Sequence, residues 1–268
     1  MKPFTQKSVV LVLMAAGVLV TSLAMAAPSK VAGGLHDFST VGGSSIYKAN
    51  TISQVCIFCH TPHNAGKTNL LWNKAVNSVP DFRLYTSSGT LTLVTKASSL
   101  SANSPSLLCL SCHDGKTAMN VLHNSSSGQE AQTAGYPAGS KFIQTDNGLY
   151  APVLIPGDTW DFGSLSFKHM NLGMAADGSN DIQGNNLTDD HPIGFSYSAV
   201  LVESPVGLKP LATAKTAGIR FFGSSNKVEC SSCHDPHVDY SAAGNEELRP
   251  FLVMSNSGSN LCRACHDK

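Results

Sequence analysis

Four short runs govern what this chain can fold into: Cys56-Ile57-Phe58-Cys59-His60, Cys109-Leu110-Ser111-Cys112-His113, Cys230-Ser231-Ser232-Cys233-His234 and Cys262-Arg263-Ala264-Cys265-His266. Each sets two thiols three positions apart and an imidazole directly after the second. Together they use all eight cysteines of the chain. The first and third runs continue alike, as Thr61-Pro62-His63 and Asp235-Pro236-His237, so a further histidine follows three residues after the first.

A C-x-x-C-H run reads as covalent c-type haem attachment, with thioether bonds from both cysteines and the adjacent histidine reaching the iron. Three other uses of paired cysteines compete with it. A disulfide framework suits an exported chain, but it does not require a histidine after every second cysteine. Zinc would pair the thiols into two four-cysteine sites and leave four histidines unexplained. A thioredoxin-like C-x-x-C occurs once per redox domain, in a βαβ setting that this sequence lacks. Four complete runs with no spare cysteine point to four haems c.

The N-terminus points to the compartment. Lys2 and Lys7 precede an uncharged apolar run, Ser8 to Leu23, which ends in Ala24-Met25-Ala26. This is the grammar of a secretory signal, residues 1–26, with the mature chain starting at Ala27. An uncleaved anchor is the rival reading, but the run falls short of the roughly 20 residues a span needs. No cysteine follows the cleavage site, which excludes a lipid anchor there. No later segment is apolar enough to cross a bilayer. The mature protein is expected outside the inner membrane, secreted to the cell surface or periplasmic.

Composition limits the core. Only 13% of residues are charged and 7% aromatic, and Gly, Ser and Asn crowd the middle of the chain. Such a chain buries little apolar area against its conformational entropy. The expected fold is therefore mostly irregular coil, with short α-helices and few strands, organised around a stacked haem array that replaces most of the usual core. The formal charge is zero. Without Lys2 and Lys7 the mature chain has 16 basic against 18 acidic residues, and haem propionates add further negative charge. That argues against nucleic acid and anionic membrane as partners.

The chain divides into a first dihaem half (27–123), an irregular wrapping segment (124–190) and a second dihaem half (191–268). The halves form a weak repeat. The first reads His36, the run with its Pro-His, Leu70-Leu71, then a second run. The other reads His191, the run with its Pro-His, Phe251-Leu252, then a second run. Ser87-Ser88-Gly89 between Arg83–Tyr85 and Thr90–Val94 predicts a hairpin, and the second run predicts a short helix extending through Val121.

Ligand counting follows. Of ten histidines, His60, His113, His234 and His266 are the proximal ligands. A six-coordinate haem needs a second axial ligand, histidine or methionine. The repeat selects His36, His63, His191 and His237. His63 and His237 stand too close in sequence to their own proximal histidines to reach the far face of the same haem, so they serve a neighbouring one. His123 and His169 lack support from the repeat and read as surface or propionate-contacting residues. Met119, Met170, Met174 and Met254 read as filler. Bis-histidine ligation implies low potentials and a coordinatively full iron, which cannot turn over a substrate.

The stretches Cys56–Ala65, Leu70–Asn73, Leu107–Gly115, Asp190–Phe195 and Cys230–His237 resemble multihaem c-type cytochromes with doubled C-x-x-C-H motifs. Among these, the chain is most similar to the tetrahaem extracellular cytochromes of metal-reducing bacteria, which polymerise into filaments. The resemblance covers nearly all of the mature chain outside roughly 124–185. It implies bis-histidine haems, electron transfer, and one axial histidine donated by an adjacent subunit. In a related six-haem filament cytochrome that ligand is the histidine three places after the first proximal one, here His63. Two other functions compete. A soluble periplasmic electron shuttle would not polymerise. A haem subunit of a nitrite- or hydroxylamine-type reductase would need one haem with an open face.

Overall fold

The computed structural model describes residues 31–41, 47–65, 71–74, 82–114, 117–130, 141–144, 161–162, 165–166, 186–188, 190–204, 206–240 and 242–267. The signal segment, His169, Met170 and Met174 lie outside the described residues. What is described is mostly coil, with a few short helices and small sheets. No helix among the described residues is long and apolar enough to cross a membrane.

The helices are α1 (Leu93–Lys96), α2 (Ser106–His113), α3 (Tyr197–Glu203), α4 (Leu211–Thr216), α5 (Cys230–Cys233) and α6 (Asn260–Cys265). Several begin on a side-chain cap. The Thr92 hydroxyl accepts from the Thr95 N–H at 3.1 Å, and Ser196 accepts from Ala199. Glu229 and Ser232 form a reciprocal capping box on α5. Such caps satisfy N–H groups that no helical carbonyl can reach.

The strands are pairs of residues: β1 (Arg83–Leu84), β2 (Val121–Leu122), β3 (Gln129–Glu130), β4 (Lys141–Phe142), β5 (Asp161–Phe162), β6 (Leu165–Ser166) and β7 (Asn186–Leu187). β4 lies between β2 and β3, antiparallel to both, and β5 pairs with β6. β1 pairs in parallel with β7, Leu84 opposite Leu187.

Two local expectations are corrected. Residues 83–94 do not form a hairpin, because β1 takes its partner from β7 and residues 93–96 are helical. The Glu203 carboxylate of α3 accepts from the N–H groups of Leu93 and Val94 at 2.6 and 2.9 Å. With Thr92 it nucleates a helix where the Thr/Leu alternation read as a strand. The helix of the second run stops at His113 rather than Val121. Asp114 turns the chain there by accepting from the N–H and hydroxyl of Thr117 at 2.8 and 2.7 Å, and Val121 falls in β2.

The apolar interior is divided. One cluster gathers Ala49, Ile52, Phe58, Leu122 and Ile143 beside the first run. Another holds Leu84, Leu100, Leu187, Leu110 of the second run and Leu107 just before it. A third, around Tyr197 and Val228, packs on Cys265. A fourth joins Val238, Tyr240 and Leu248 behind the third run. Each run thus has its own small patch of core.

Candidate haem-binding site

All four runs fold as a helical turn. The second lies wholly in α2. In the others the histidine N–H donates to the carbonyl of the first cysteine, His60 to Cys56 at 2.8 Å, His234 to Cys230 at 3.0 Å and His266 to Cys262 at 2.9 Å. A turn of this kind brings residues i, i+3 and i+4 to one face, so two sulfurs and an imidazole address the same volume.

Three of the runs then share a clip that sequence reading did not resolve. The chain extends at the histidine and pairs antiparallel with a distant residue: His60 with Trp72, His234 with Leu252, His266 with Leu208. The flanking bonds repeat. Thr61 N–H donates to Leu71 and Asn73 N–H to Cys59, at 2.8 and 2.9 Å. Asp235 donates to Phe251 and Val253 to Cys233, at 2.7 and 2.9 Å. Asp267 donates to Gly207 and Lys209 to Cys265, at 3.0 and 2.7 Å. The residue before each partner has a positive φ, 53° at Leu71, 58° at Phe251 and 90° at Gly207. Leu71 and Phe251 had drawn notice only as repeated apolar residues, and Gly207 carried no signal.

The clips and helices bring histidines together in pairs. Two imidazoles that hold one metal from opposite faces, each nitrogen about 2.0 Å from it, have ring centres roughly 6.3 Å apart. The centres of His36 and His113 are 6.2 Å apart, those of His60 and His237 6.4 Å, and those of His191 and His266 6.5 Å. Each pair joins the histidine of a run to one singled out by the repeat. Among the described residues, His234 and His63 have no such partner, and both are exposed.

Four of the histidines have an acceptor at Nδ1. Nδ1 of His36 faces the Pro236 carbonyl at 3.3 Å, Nδ1 of His191 the Pro192 carbonyl at 2.9 Å, and Nδ1 of His234 the Pro250 carbonyl at 2.9 Å. Nδ1 of His237 faces Oδ1 of Asp235 at 3.0 Å. An acceptor at Nδ1 holds the proton there and leaves Nε2 with a free lone pair. Burial, then the neighbouring His113, push the His36 imidazole down to about 4, and its bond to Pro236 only partly opposes them. It is neutral, as a ligand must be. Phe251 stacks on it with ring centres 4.3 Å apart.

None of the eight cysteines is joined in a disulfide. Among the described residues no group of three or more His, Cys, Asp or Glu side chains gathers around a metal-sized point. Burial pushes Cys59 up to about 12, with Cys112 adding to the rise, and Cys233 up to about 11, with Cys265 adding to it. Cys109 is raised by its contact with Cys230 and by burial. The same couplings give an order: run one lies against run two, run two against run three, run three against run four.

Two buried charged groups, both unforeseen from the sequence, join the runs. The Glu229 carboxylate, 2% exposed, accepts from the hydroxyls of Ser104 and Ser106 at 2.6 Å each, and Ser106 also accepts from the Cys230 N–H. It ties the start of α2 to the start of α5. Lys74, also 2% exposed, donates to the carbonyls of Met119 and Val121 at 2.5 and 3.2 Å and reaches Cys112.

The residues fit a large apolar group with polar edges. The buried Tyr240 hydroxyl and Nδ1 of His123 find no partner among the described residues, and Tyr240 packs edge-on against the Phe251 that supports His36. Haem propionates would supply acceptors for such donors. Met119 is buried beside Phe38 and Phe58 rather than opposite a proximal histidine, and Met254 is half-buried. No family model matches the chain, and no curated protein matches it.

Proposed function

We propose that this chain is a tetrahaem c-type cytochrome that carries electrons. The observation that supports it most is the spacing of three histidine pairs, 6.2 to 6.5 Å between ring centres, each with one member inside a C-x-x-C-H run. The cysteines of each run would tether one haem, and the paired imidazoles would fill both axial positions. When bound, each haem supplies an iron that takes up and returns one electron. Axial saturation by histidine disfavours substrate turnover, so the chain acts as a carrier and not as an enzyme. Its place of work is the periplasm or the cell exterior, as the N-terminal segment implies.

His234 is the one point that favours a second reading. A proximal histidine with no imidazole opposite among the described residues is what a multihaem reductase would offer. We assign that position instead to His63 of a second copy of the chain. His63 is exposed, its ring has no described contact, and it follows a run as His237 does. Repetition of that link would build a homopolymer, a filament delivering electrons to external acceptors; a shuttle would remain monomeric.

The test uses protein matured with its haems. Mass measurement is expected to show four thioether-linked haems, and the reduced assembled protein to bind no carbon monoxide. Carbon monoxide binding by the intact assembly would overturn the carrier reading in favour of a reductase. A chain without haem would overturn both.

A further inference from the structure

The two trailing Pro-His elements are not equivalent. In the first, position 61 is threonine, whose hydroxyl donates to the His63 carbonyl at 2.8 Å and does not engage the ring. In the third run the same position is Asp235. Its Oδ1 accepts from the His237 N–H at 2.9 Å and faces Nδ1 of the His237 ring at 3.0 Å. Its Oδ2 accepts from Nη1 of Arg220 at 2.8 Å. The result is a relay from guanidinium to carboxylate to imidazole.

Three other Nδ1 contacts differ in kind. His36, His191 and His234 all face backbone carbonyls. A carboxylate on Nδ1 makes an imidazole a stronger electron donor to its metal than a carbonyl does. A stronger donor stabilises ferric over ferrous iron and so lowers the potential of the one-electron couple.

We propose that Asp235 sets the potential of a single haem, the one between His60 and His237, lowering it relative to an identical site with a neutral acceptor, while Arg220 limits that effect. The inference rests on the haem reading above. Asp235 acts as a positioning and tuning residue through His237. Its consequence is an energetic step at the first run, so that an electron placed there moves on toward the second.

The test is potentiometry on holoprotein, with haem count and low-spin spectra recorded first. Asp235→Asn keeps an oxygen acceptor and removes the charge. One of the four potentials is expected to rise by about 59 mV, a tenfold change in the ferrous-to-ferric ratio for one electron. Arg220→Gln frees the carboxylate from its cation, and the same potential is expected to fall. The affected haem should be the one whose low-spin signal disappears in His237→Ala. Unchanged potentials, shifts of the same sign in both variants, or a shift spread over all four haems would overturn the proposal. If Asp235→Asn does not mature, Arg220→Gln decides alone, because Arg220 is half exposed. Absence of haem from the unaltered protein would overturn the underlying reading, and this one with it, before any potential is measured.

Discussion

The rings of His60 and His237 lie nearly parallel, tilted by 14°, with centres 6.4 Å apart, although 177 positions separate them in the chain. Neither residue is placed by its neighbours in sequence alone. His60 is held by the clip to Trp72 and His237 by Asp235. The trailing histidine of the third run therefore faces the histidine of the first, and the two halves of the chain meet at this pair of rings.

Removal of that ligand should expose one iron. His237→Ala is expected to convert one haem in four to a five-coordinate, high-spin form that binds carbon monoxide when reduced. Electron paramagnetic resonance and carbon monoxide difference spectra read the outcome. A fully low-spin spectrum would sink the pairing.

His63 should matter to assembly and not to folding. Its ring is exposed and untouched among the described residues, so His63→Ala should retain four haems and unchanged thermal stability. The expected loss is of filaments in negative-stain images, accompanied by carbon monoxide binding at one haem per chain. Filaments of normal length in this variant would contradict the assignment.

Glu229 joins two runs from a buried position. Truncation to alanine strands the hydroxyls of Ser104 and Ser106 and removes the cap of α5. Stranded buried donors and a lost cap together cost about 3 kcal/mol. Denaturant unfolding of the holoprotein followed by circular dichroism should show that loss, and a change below about 1 kcal/mol would show that the carboxylate is not the link.

The three clips can be compared through their positive-φ residues. A Cβ added at Gly207 meets nothing within 4 Å, so Gly207→Val tests the backbone alone, and a left-handed residue costs roughly 1–2 kcal/mol. At Leu71, already left-handed and 46% exposed, Leu71→Gly relieves the strain and loses little burial. Its effect should stay within about 1 kcal/mol of neutral. A marked loss of stability at Leu71 would mean that its side chain, not its backbone, holds the clip.

Acid should open α1 locally. The N–H groups of Val94 and Leu93 hold the Glu203 carboxyl below its ordinary value of 4.5. A carboxyl depressed in the folded state contributes above its unfolded pKa, and that contribution disappears as pH falls through the folded value. Exchange of the amides of Leu93 and Val94, corrected for intrinsic rates, should therefore accelerate between roughly pH 6 and pH 3. Equal protection across that range would rule out the cap.

Much of the candidate site was legible because its information is local. Two cysteines and a histidine within five residues define an attachment run wherever it falls, and the recurrence of Pro-His marked His63 and His237 as reaching outward. The hairpin over 83–94 was misread for the converse reason. Its strand partner, β7, lies about a hundred residues away, and the carboxylate that makes α1 a helix comes from α3. Lys74 and Glu229 gave no signal, since a charged residue in a loop-rich sequence reads as solvated until its burial is known.

By itself the sequence determined the four C-x-x-C-H runs and the set of histidines near them, because these follow from spacing along one short segment. The tertiary structure decided which histidine faces which: His36 with His113, His237 with His60, His191 with His266, and none with His234 among the described residues. Those relations depend on antiparallel clips and buried polar bridges between residues far apart in the chain. A distance across a fold is set by the closure of all intervening segments at once, and no local pattern encodes it.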